Sequence, residues 1–599
     1  MENGLINEPG WKRLRHLVKS PKRLNRNIRQ ARMFAARTVQ RYKFGVKVPR
    51  NESEARALDQ ENNNLLWEEA IDKELQQVIN EYNTFIDKGK FEGRSQIPKG
   101  YQLIRVNMVF DVKHDLRHKC RLVAGGHLTK PNGDTSYSSV ASLRSIRLVT
   151  FIAELNKLQL EAADVGNAYL EATSNEKVCF VAGESFAKYG LKGHLLIIHK
   201  ALYGLRNSGA CYHAKWADSM TKLGFFPSRS DPDVWLKDKG DHYEYVVVYV
   251  DDLLYAGKDP KQYWNDVLAM GYKLKGVGVP TYHLGATFER VNGPEKMMTW
   301  GAVRYIQKIL DQYQKIVGEK VKNGRRIHAP LEPGDHPELD TTELCDDDER
   351  AKYMSLVGSL QWALTLGRID IAAAVMTMSR FRVNPRKGHL ARLKRIYSYL
   401  QHFKKSSIKF NVEMPDYHHY DKHWSQPVWT DFYGNGEGVY DDPKLPDVKG
   451  NPIIMTTYVD ANLLHDYITG RSCTGIIHLF NKTVIDWFSK LQNNVETAMY
   501  GSEFTAMRTA VDQIHDLRYT ARGLGVPIIG LTYMFGDNLS TIISTTKSDG
   551  KIAKRWNILS FHRVREAVAH GIARSFHIEG KDNPADALSK IPRLVRGMS

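Results

Sequence analysis

Cysteine is scarce in this sequence: Cys120, Cys179, Cys211, Cys345 and Cys473 are the five in 599 residues, and no two lie close together. That spacing offers neither a disulfide framework nor a zinc knuckle, and it points to a reducing compartment. Long apolar runs are missing too. The longest, such as residues 245–250, fall far short of the roughly 20 residues that cross a bilayer. No apolar stretch of the signal-peptide kind follows the start, so neither a membrane partner nor secretion is expected. An internal repeat of roughly 20–50 residues is also absent, which argues against a solenoid.

What the chain has in excess is positive charge. Its net charge is +18, on a composition (42% hydrophobic, 25% charged) that belongs to a core-forming globular protein. The first fifty residues hold fourteen Lys and Arg against two acids, Glu2 and Glu8, so +12 sits in this leader and +6 in all the rest. A polyanionic partner is therefore expected. The length allows roughly three to five domains.

Periodicity and punctuation divide the remainder. Leu66, Ile71, Leu75, Val78 and Ile79 recur at helical spacing, and residues 103–112 alternate like a strand after the Pro98-Lys-Gly100 turn. A basic strand is expected at 117–126, a helix at 142–158, a short strand at 160–165 and an apolar hairpin at 246–256. Helices follow at 301–317, 350–381 and 388–403. Residues 416–451, rich in Pro, Gly and Asp, read as a linker. Beyond it, strands at 453–460, 474–480 and 484–488 precede a helix at 502–523. A strand at 531–535, a helix at 559–571, a strand at 573–578 and a last helix near Asn583-Pro584 complete a mixed α/β pattern.

The hairpin carries the first chemistry. In Val246-Val-Val-Tyr-Val-Asp251-Asp252-Leu-Leu-Tyr-Ala256 two adjacent aspartates interrupt an apolar run. A buried carboxylate must be paired or coordinate a cation. An exposed turn accounts for one Asp, but poorly for the aromatic and β-branched residues on both sides. Asp164, in Glu161-Ala-Ala-Asp164-Val-Gly-Asn-Ala-Tyr169, offers a partner on a neighbouring strand. Carboxylate oxygens suit Mg²⁺, with Mn²⁺ as the alternative. Two such ions about 3.5–4 Å apart can activate a 3′-hydroxyl and stabilise a departing pyrophosphate.

Tyr249-Val-Asp-Asp252 resembles the palm signature of reverse transcriptases, and the string from Asp164 to Tyr169 resembles the preceding palm motif. The surroundings are similar to copia-type LTR retrotransposon polyproteins: Lys119-Cys-Arg-Leu-Val-Ala-Gly-Gly126, Ala201-Leu-Tyr-Gly-Leu-Arg206 and His283-Leu-Gly285. Tyr353-Met-Ser-Leu-Val-Gly-Ser-Leu-Gln-Trp362 and Arg368-Ile-Asp370 continue in the same order. The resemblance covers about residue 65 to the end. It implies that Asp164 and Asp251 are metal ligands, with Asp252 beside them at the hairpin tip. It also implies that Lys119 and Arg121 grip the incoming triphosphate and that Tyr169 is the steric gate against a ribose 2′-hydroxyl. The bland alternatives are a solvated strand face for the two cations and a core tyrosine for Tyr169. Two departures stand out. Gly204-Leu-Arg-Asn-Ser-Gly209 replaces the usual Gly-Leu-Lys-Gln-Ala-Pro, which puts the template-grip and nucleotide-positioning roles there in doubt, and Cys120 stands where alanine is common.

A second carboxylate set follows the linker: Asp460 in Thr456-Thr-Tyr-Val-Asp-Ala461, Glu503 in Val495-Glu-Thr-Ala-Met-Tyr-Gly-Ser-Glu503, Asp537 in Phe535-Gly-Asp-Asn538 and Asp586 in Ala585-Asp-Ala-Leu-Ser-Lys590. Singly, each reads as a strand-end turn or a helix-start charge. Together with Arg471-Ser-Cys-Thr-Gly475 and Trp487-Phe-Ser-Lys490, their order resembles the ribonuclease H behind copia-type polymerases. That family holds two Mg²⁺ ions with four such carboxylates and hydrolyses the RNA strand of a hybrid. His562 and His577 fit packing roles better than proton transfer.

The resemblance implies a fold of α/β (α+β) class: a right-hand polymerase with palm, fingers and thumb, then an RNase H-like α/β domain. The expected division is a basic extension at 1–60, fingers and palm at 61–290, thumb and connection helices at 291–415, the linker at 416–451 and the nuclease at 452–599. Implied partners are RNA template, DNA primer and product, RNA–DNA hybrid and dNTPs; a homodimer stays open. The implied location is the cytoplasm, in a virus-like particle, and the nucleus. No zinc pattern of a nucleocapsid or integrase and no aspartic-protease motif is found, so the chain reads as the C-terminal part of a retroelement polyprotein. The rival readings are a domesticated, non-catalytic nucleic-acid-binding scaffold and a nuclease with an inactive polymerase.

Overall fold

Runs of β-branched and aromatic residues, such as Val234–Asp238 and Tyr243–Tyr249, build the sheet that carries Asp164, Asp251 and Asp252. The computed structural model describes residues 41–43, 45–113, 116–129, 135–291, 297–319, 321, 327–427, 429–434, 444–547, 552 and 555–590. The first forty residues of the basic leader lie outside these residues. The described chain gathers into two units: residues up to Ser138 with Asn167–Trp216, and Ser139–Gly166 with everything from Ala217 onward. It is mixed α/β, as the sequence implied. Among the described residues no helix is long and apolar enough to cross a membrane.

In the first unit, Val106–Val112 and His118–Ala124 form an antiparallel hairpin. The helix Leu66–Gln76 buries Trp67, Ile71 and Leu75 in the same core. Glycine lets two quoted strings meet there: a Cβ on Gly126 would lie 2.3 Å from the Gly204 carbonyl, and one on Gly204 would lie 2.2 Å from that of Ala124. The Ala124 N–H donates to the Tyr203 carbonyl (2.7 Å), and Arg206 Nε to that of Gly126 (2.9 Å).

The second unit holds two larger sheets. In the first, the order is Phe226–Pro227, Val234–Asp238, Tyr243–Tyr249, Asp252–Gly257, Gln159–Val165, Leu274–Gly278, all antiparallel. In the other, it is Thr483–Val495, Arg471–Phe480, Met455–Asn462, Thr532–Gly536, Ala573–His577, with the last two added in parallel. One hydrophobic core joins them through the helix Leu143–Leu155, whose Phe151 meets Phe480 edge-on at 5.9 Å. Arg147 on that helix is buried; it stacks over Trp487 (4.4 Å) and donates to the Ile485 carbonyl (3.0 Å).

The helix expected at 350–381 is two, Asp347–Thr365 and Ala372–Ser379. Gly367 adopts φ +102° between them, and the buried Arg368 turns to hold Asp370 with two hydrogen bonds. That backbone conformation is open to glycine and ends the helix. The stretch at 416–451 divides where described: its first part lies along the second large sheet, while Lys449 pairs with Asp238 of the first sheet and Asn451 donates to the Leu155 carbonyl (2.9 Å). Tyr417 and Tyr420 pack on Phe535, Trp424 packs on Phe576, and Asp421 pairs with Arg574 while accepting from the Tyr533 hydroxyl (2.8 Å).

Candidate active sites

The first carboxylate cluster is made by a two-residue turn. Tyr249 pairs with Asp252, leaving Val250 and Asp251 to reverse the chain. Val250 sits at φ +58°, a left-handed conformation that costs a β-branched residue of order 1–3 kcal/mol. That turn fixes the register of the strand behind it, and Asp252 falls directly opposite Asp164. Residues opposite one another on adjacent strands share a face, so the two carboxylates are neighbours. Asp251, one step away, instead ties the strands through its carbonyl, which accepts the Val165 N–H (2.7 Å). On the other flank of Asp164, Lys275 is the register partner. The sequence paired Asp164 with Asp251 and left Asp252 at the hairpin tip; in the register, Asp252 takes the place opposite Asp164. All three are half-buried. Burial pushes Asp252 up to about 7, and the charges of Asp251 and Asp164 add to the shift.

The second cluster is deeper. Asp460 ends the central strand Met455–Asn462 and is fully buried; Glu503 lies early in the long helix Met499–Gly523 and is 2% exposed. Asp537 follows the parallel strand Thr532–Gly536. Oxygens from these three lie within 4.8 Å of one another. Burial pushes Asp460 up to about 6 and Glu503 well above the ordinary carboxylate range, and the neighbouring carboxylates reinforce both shifts. The Ala461 N–H donates to Glu503 (3.3 Å).

Asp586 is not in that group of three. It opens the short helix Asp586–Ser589, and its carboxylate is held by Lys590, whose ammonium also lies 3.2 Å from Asp460. The Ser589 hydroxyl donates to Asp460. Gly475 lets this segment approach: a Cβ there would meet the Ala585 carbonyl at 2.5 Å. Asn583 anchors it by donating to the Val459 carbonyl (2.9 Å). Lys590 and Ser589 were part of the quoted string but received no role. Helical spacing from Asp586 could have flagged Lys590, at i+4, as a charge partner. His577 donates to the Asp537 carbonyl (3.0 Å) and His562 meets the Tyr433 hydroxyl (2.7 Å).

The nucleotide-binding candidates lie in the first unit. Lys119 and Arg121 are half-buried on His118–Ala124, opposite Asp111 and Val109. The Arg121 guanidinium sits 4.7 Å over the Tyr203 ring, and the half-buried Tyr169 is 5.1 Å from that same ring. Glu74, buried behind the strand, accepts the Leu122 N–H (2.9 Å) and is pushed up by burial against the pull of Lys119 and Arg121. Asn207 is 3% exposed. Its N–H donates to Glu176 (3.0 Å), and its side-chain amide has no partner among the described residues.

Both carboxylate clusters have the chemistry of a hard-cation site. The donors are all oxygen, and Asp252, Asp460 and Glu503 are raised first by burial and then by their carboxylate neighbours, both of which a divalent cation would offset.

Residues 94–321 match the family model described as reverse transcriptase (RNA-dependent DNA polymerase). The chain is 26% identical over 514 residues to the retrovirus-related Pol polyprotein from transposon TNT 1-94 of Nicotiana tabacum, covering 83% of this chain and 35% of that protein. It is 25% identical to the corresponding polyprotein from transposon RE1 of Arabidopsis thaliana, covering 90% and 34%. The chain thus spans about a third of the length of the curated relatives it matches. Among solved structures, a foamy viral protease-reverse transcriptase in complex with double-stranded DNA aligns with TM-score 0.43 and 11% identity, over 85% of this chain and 69% of that one.

Proposed function

From a chain that carries a reverse-transcriptase domain at residues 94–321 and is related over most of its length to copia-type retrotransposon Pol polyproteins, we propose an RNA-directed DNA polymerase with ribonuclease H activity. Its substrates are an RNA template, a DNA primer, dNTPs and the RNA–DNA hybrid that copying leaves behind. The observation that carries the reading is the presence of two separate carboxylate clusters, Asp164 with Asp251 and Asp252, and Asp460 with Glu503 and Asp537.

In the polymerase site, Asp164 and Asp251, with Asp252 beside them, would hold the cations, Mg²⁺ or Mn²⁺. In the nuclease site, Asp460, Glu503, Asp537 and Asp586 would do so. When bound, such ions polarise phosphoryl oxygens and lower the pKa of the attacking hydroxyl or water. The protein's own side chains do the rest. Lys119 and Arg121 bind the triphosphate oxygens through charge-assisted hydrogen bonds. Tyr169, braced by the Tyr203 ring, bars a ribose 2′-hydroxyl. The strained turn at Val250 holds Asp251 and Asp252 in fixed register against Asp164. The basic leader supplies non-specific affinity for nucleic acid that weakens with salt. The work place is the cytoplasm, within a particle, and the nucleus.

The test is Mg²⁺-dependent primer extension on an RNA template beside cleavage of a labelled hybrid. Asp251→Asn abolishes extension and leaves cleavage; Glu503→Gln does the reverse. Extension that survives Asp251→Asn sinks the polymerase assignment. Cleavage without any extension by the unmodified chain would instead mark a nuclease with an inactive polymerase.

A further inference from the structure

Three carboxylates of the nuclease cluster converge, while the fourth, Asp586, stands outside that group and is paired with a lysine four residues on. Lys590 touches two of the four: Asp586, and Asp460 at 3.2 Å. Its side chain is 34% exposed, so it can leave for solvent without unpacking the core. Asp460, by contrast, is fully buried and has nowhere to go. Ser589 donates to the other oxygen of Asp460, so that carboxylate is satisfied on both sides by one short segment.

We propose that Lys590 is a built-in counter-cation that competes with metal at the nuclease site. In the metal-free protein its ammonium neutralises Asp460 and Asp586 and docks the C-terminal segment onto the sheet. A divalent cation seeking those same oxygens must displace it. Lys590 thereby sets how much metal the site requires, and it holds the buried carboxylates in place when metal is scarce. The physical basis is that two cations cannot share one pair of carboxylate oxygens in a poorly solvated site without strong repulsion. The inference rests on the nuclease reading of this cluster.

The test uses the full chain, with Mg²⁺ alone as the probe and no nucleic acid. Binding is read by calorimetry and by the metal-induced shift of the melting midpoint. Lys590→Met lowers the midpoint of the metal-free protein and tightens the Mg²⁺ dissociation constant by about tenfold, which is about 1.4 kcal/mol. Lys590→Arg, which keeps the charge, stays near the unmodified protein. An Mg²⁺ affinity that is unchanged or weaker in Lys590→Met overturns the proposal and makes the lysine a helper of metal binding or a surface brace. Glu503→Gln separates the two levels of inference. If it leaves the Mg²⁺ isotherm of both Lys590 forms untouched, the cluster is no metal site and the nuclease reading itself fails.

Discussion

The two carboxylate clusters live in different surroundings. Asp164, Asp251 and Asp252 are half-buried at the end of an antiparallel sheet, placed by strand register and by a turn under strain at Val250. Asp460, on the central strand, and Glu503, on the long helix, are buried, and the chain brings its own cation, Lys590, to the edge of this cluster. At the hairpin solvent still reaches all three carboxylates and can screen part of their repulsion, although Asp252 is pushed up to about 7. At the buried cluster solvent cannot do so, and packing together with the Lys590 ammonium must hold like charges in place. Shallow sites of this kind depend on backbone geometry, deep ones on charge compensation.

Substitution of one carboxylate in each cluster tests that contrast most severely. Asp164→Asn and Asp460→Asn each cost roughly 10⁴-fold in their own reaction, extension and hybrid cleavage respectively, the scale of losing a catalytic carboxylate. Their effects on stability differ. At pH 8 without metal, Asp460→Asn raises the melting midpoint because a buried, disfavoured charge is gone, whereas Asp164→Asn leaves it nearly unchanged. Equal midpoints for the two variants would break the distinction between deep and shallow.

The pH dependence of metal-free stability is the next test. Asp460 is pushed up to about 6 and Asp252 to about 7, so the folded protein holds protons that the unfolded chain has released. The stability linked to these protons is complete below the unfolded carboxylate value of about 4 and is lost as pH rises through 6 for Asp460 and 7 for Asp252. The melting midpoint should therefore fall between pH 4 and 8. Asp252→Asn should remove the upper part of that fall, and Mg²⁺ should reverse it at pH 8. A fall with the same upper limb in Asp252→Asn would mean that another group carries it.

The smallest effect concerns the hairpin alone. Glycine adopts the conformation of Val250 without strain, so Val250→Gly raises stability by up to about 1 kcal/mol after its own entropic cost. The looser turn holds Asp251 and Asp252 less firmly, and extension slows while hybrid cleavage is untouched. A variant that loses stability would show that the valine side chain contributes packing that outweighs its strain.

Much of this molecule was legible in local sequence. The short strand at 160–165, the apolar hairpin at 246–256 and the helices at 142–158 and 502–523 each describe a segment whose neighbours are adjacent in the chain. The helix expected at 350–381 failed at a glycine whose left-handed conformation carries no sign in an apolar pattern. The strands Val178–Val181 and His194–Ile198 were passed over because fully buried short runs lack a clear period.

By itself the sequence determined which residues could carry chemistry, since isolated carboxylates in apolar runs and an excess of positive charge are visible one residue at a time. Only the tertiary structure decided how those charges are balanced. The position opposite Asp164 belongs to Asp252 because a two-residue turn set the register, and one residue's slip would move every side chain to the other face. Lys590 reaches Asp460 across 130 residues of chain, and Tyr417, Tyr420 and Trp424 find the aromatic side chains of two strands, Thr532–Gly536 and Ala573–His577, that come more than a hundred residues later. Charge compensation and surface coverage act through space, and no spacing along the chain records them.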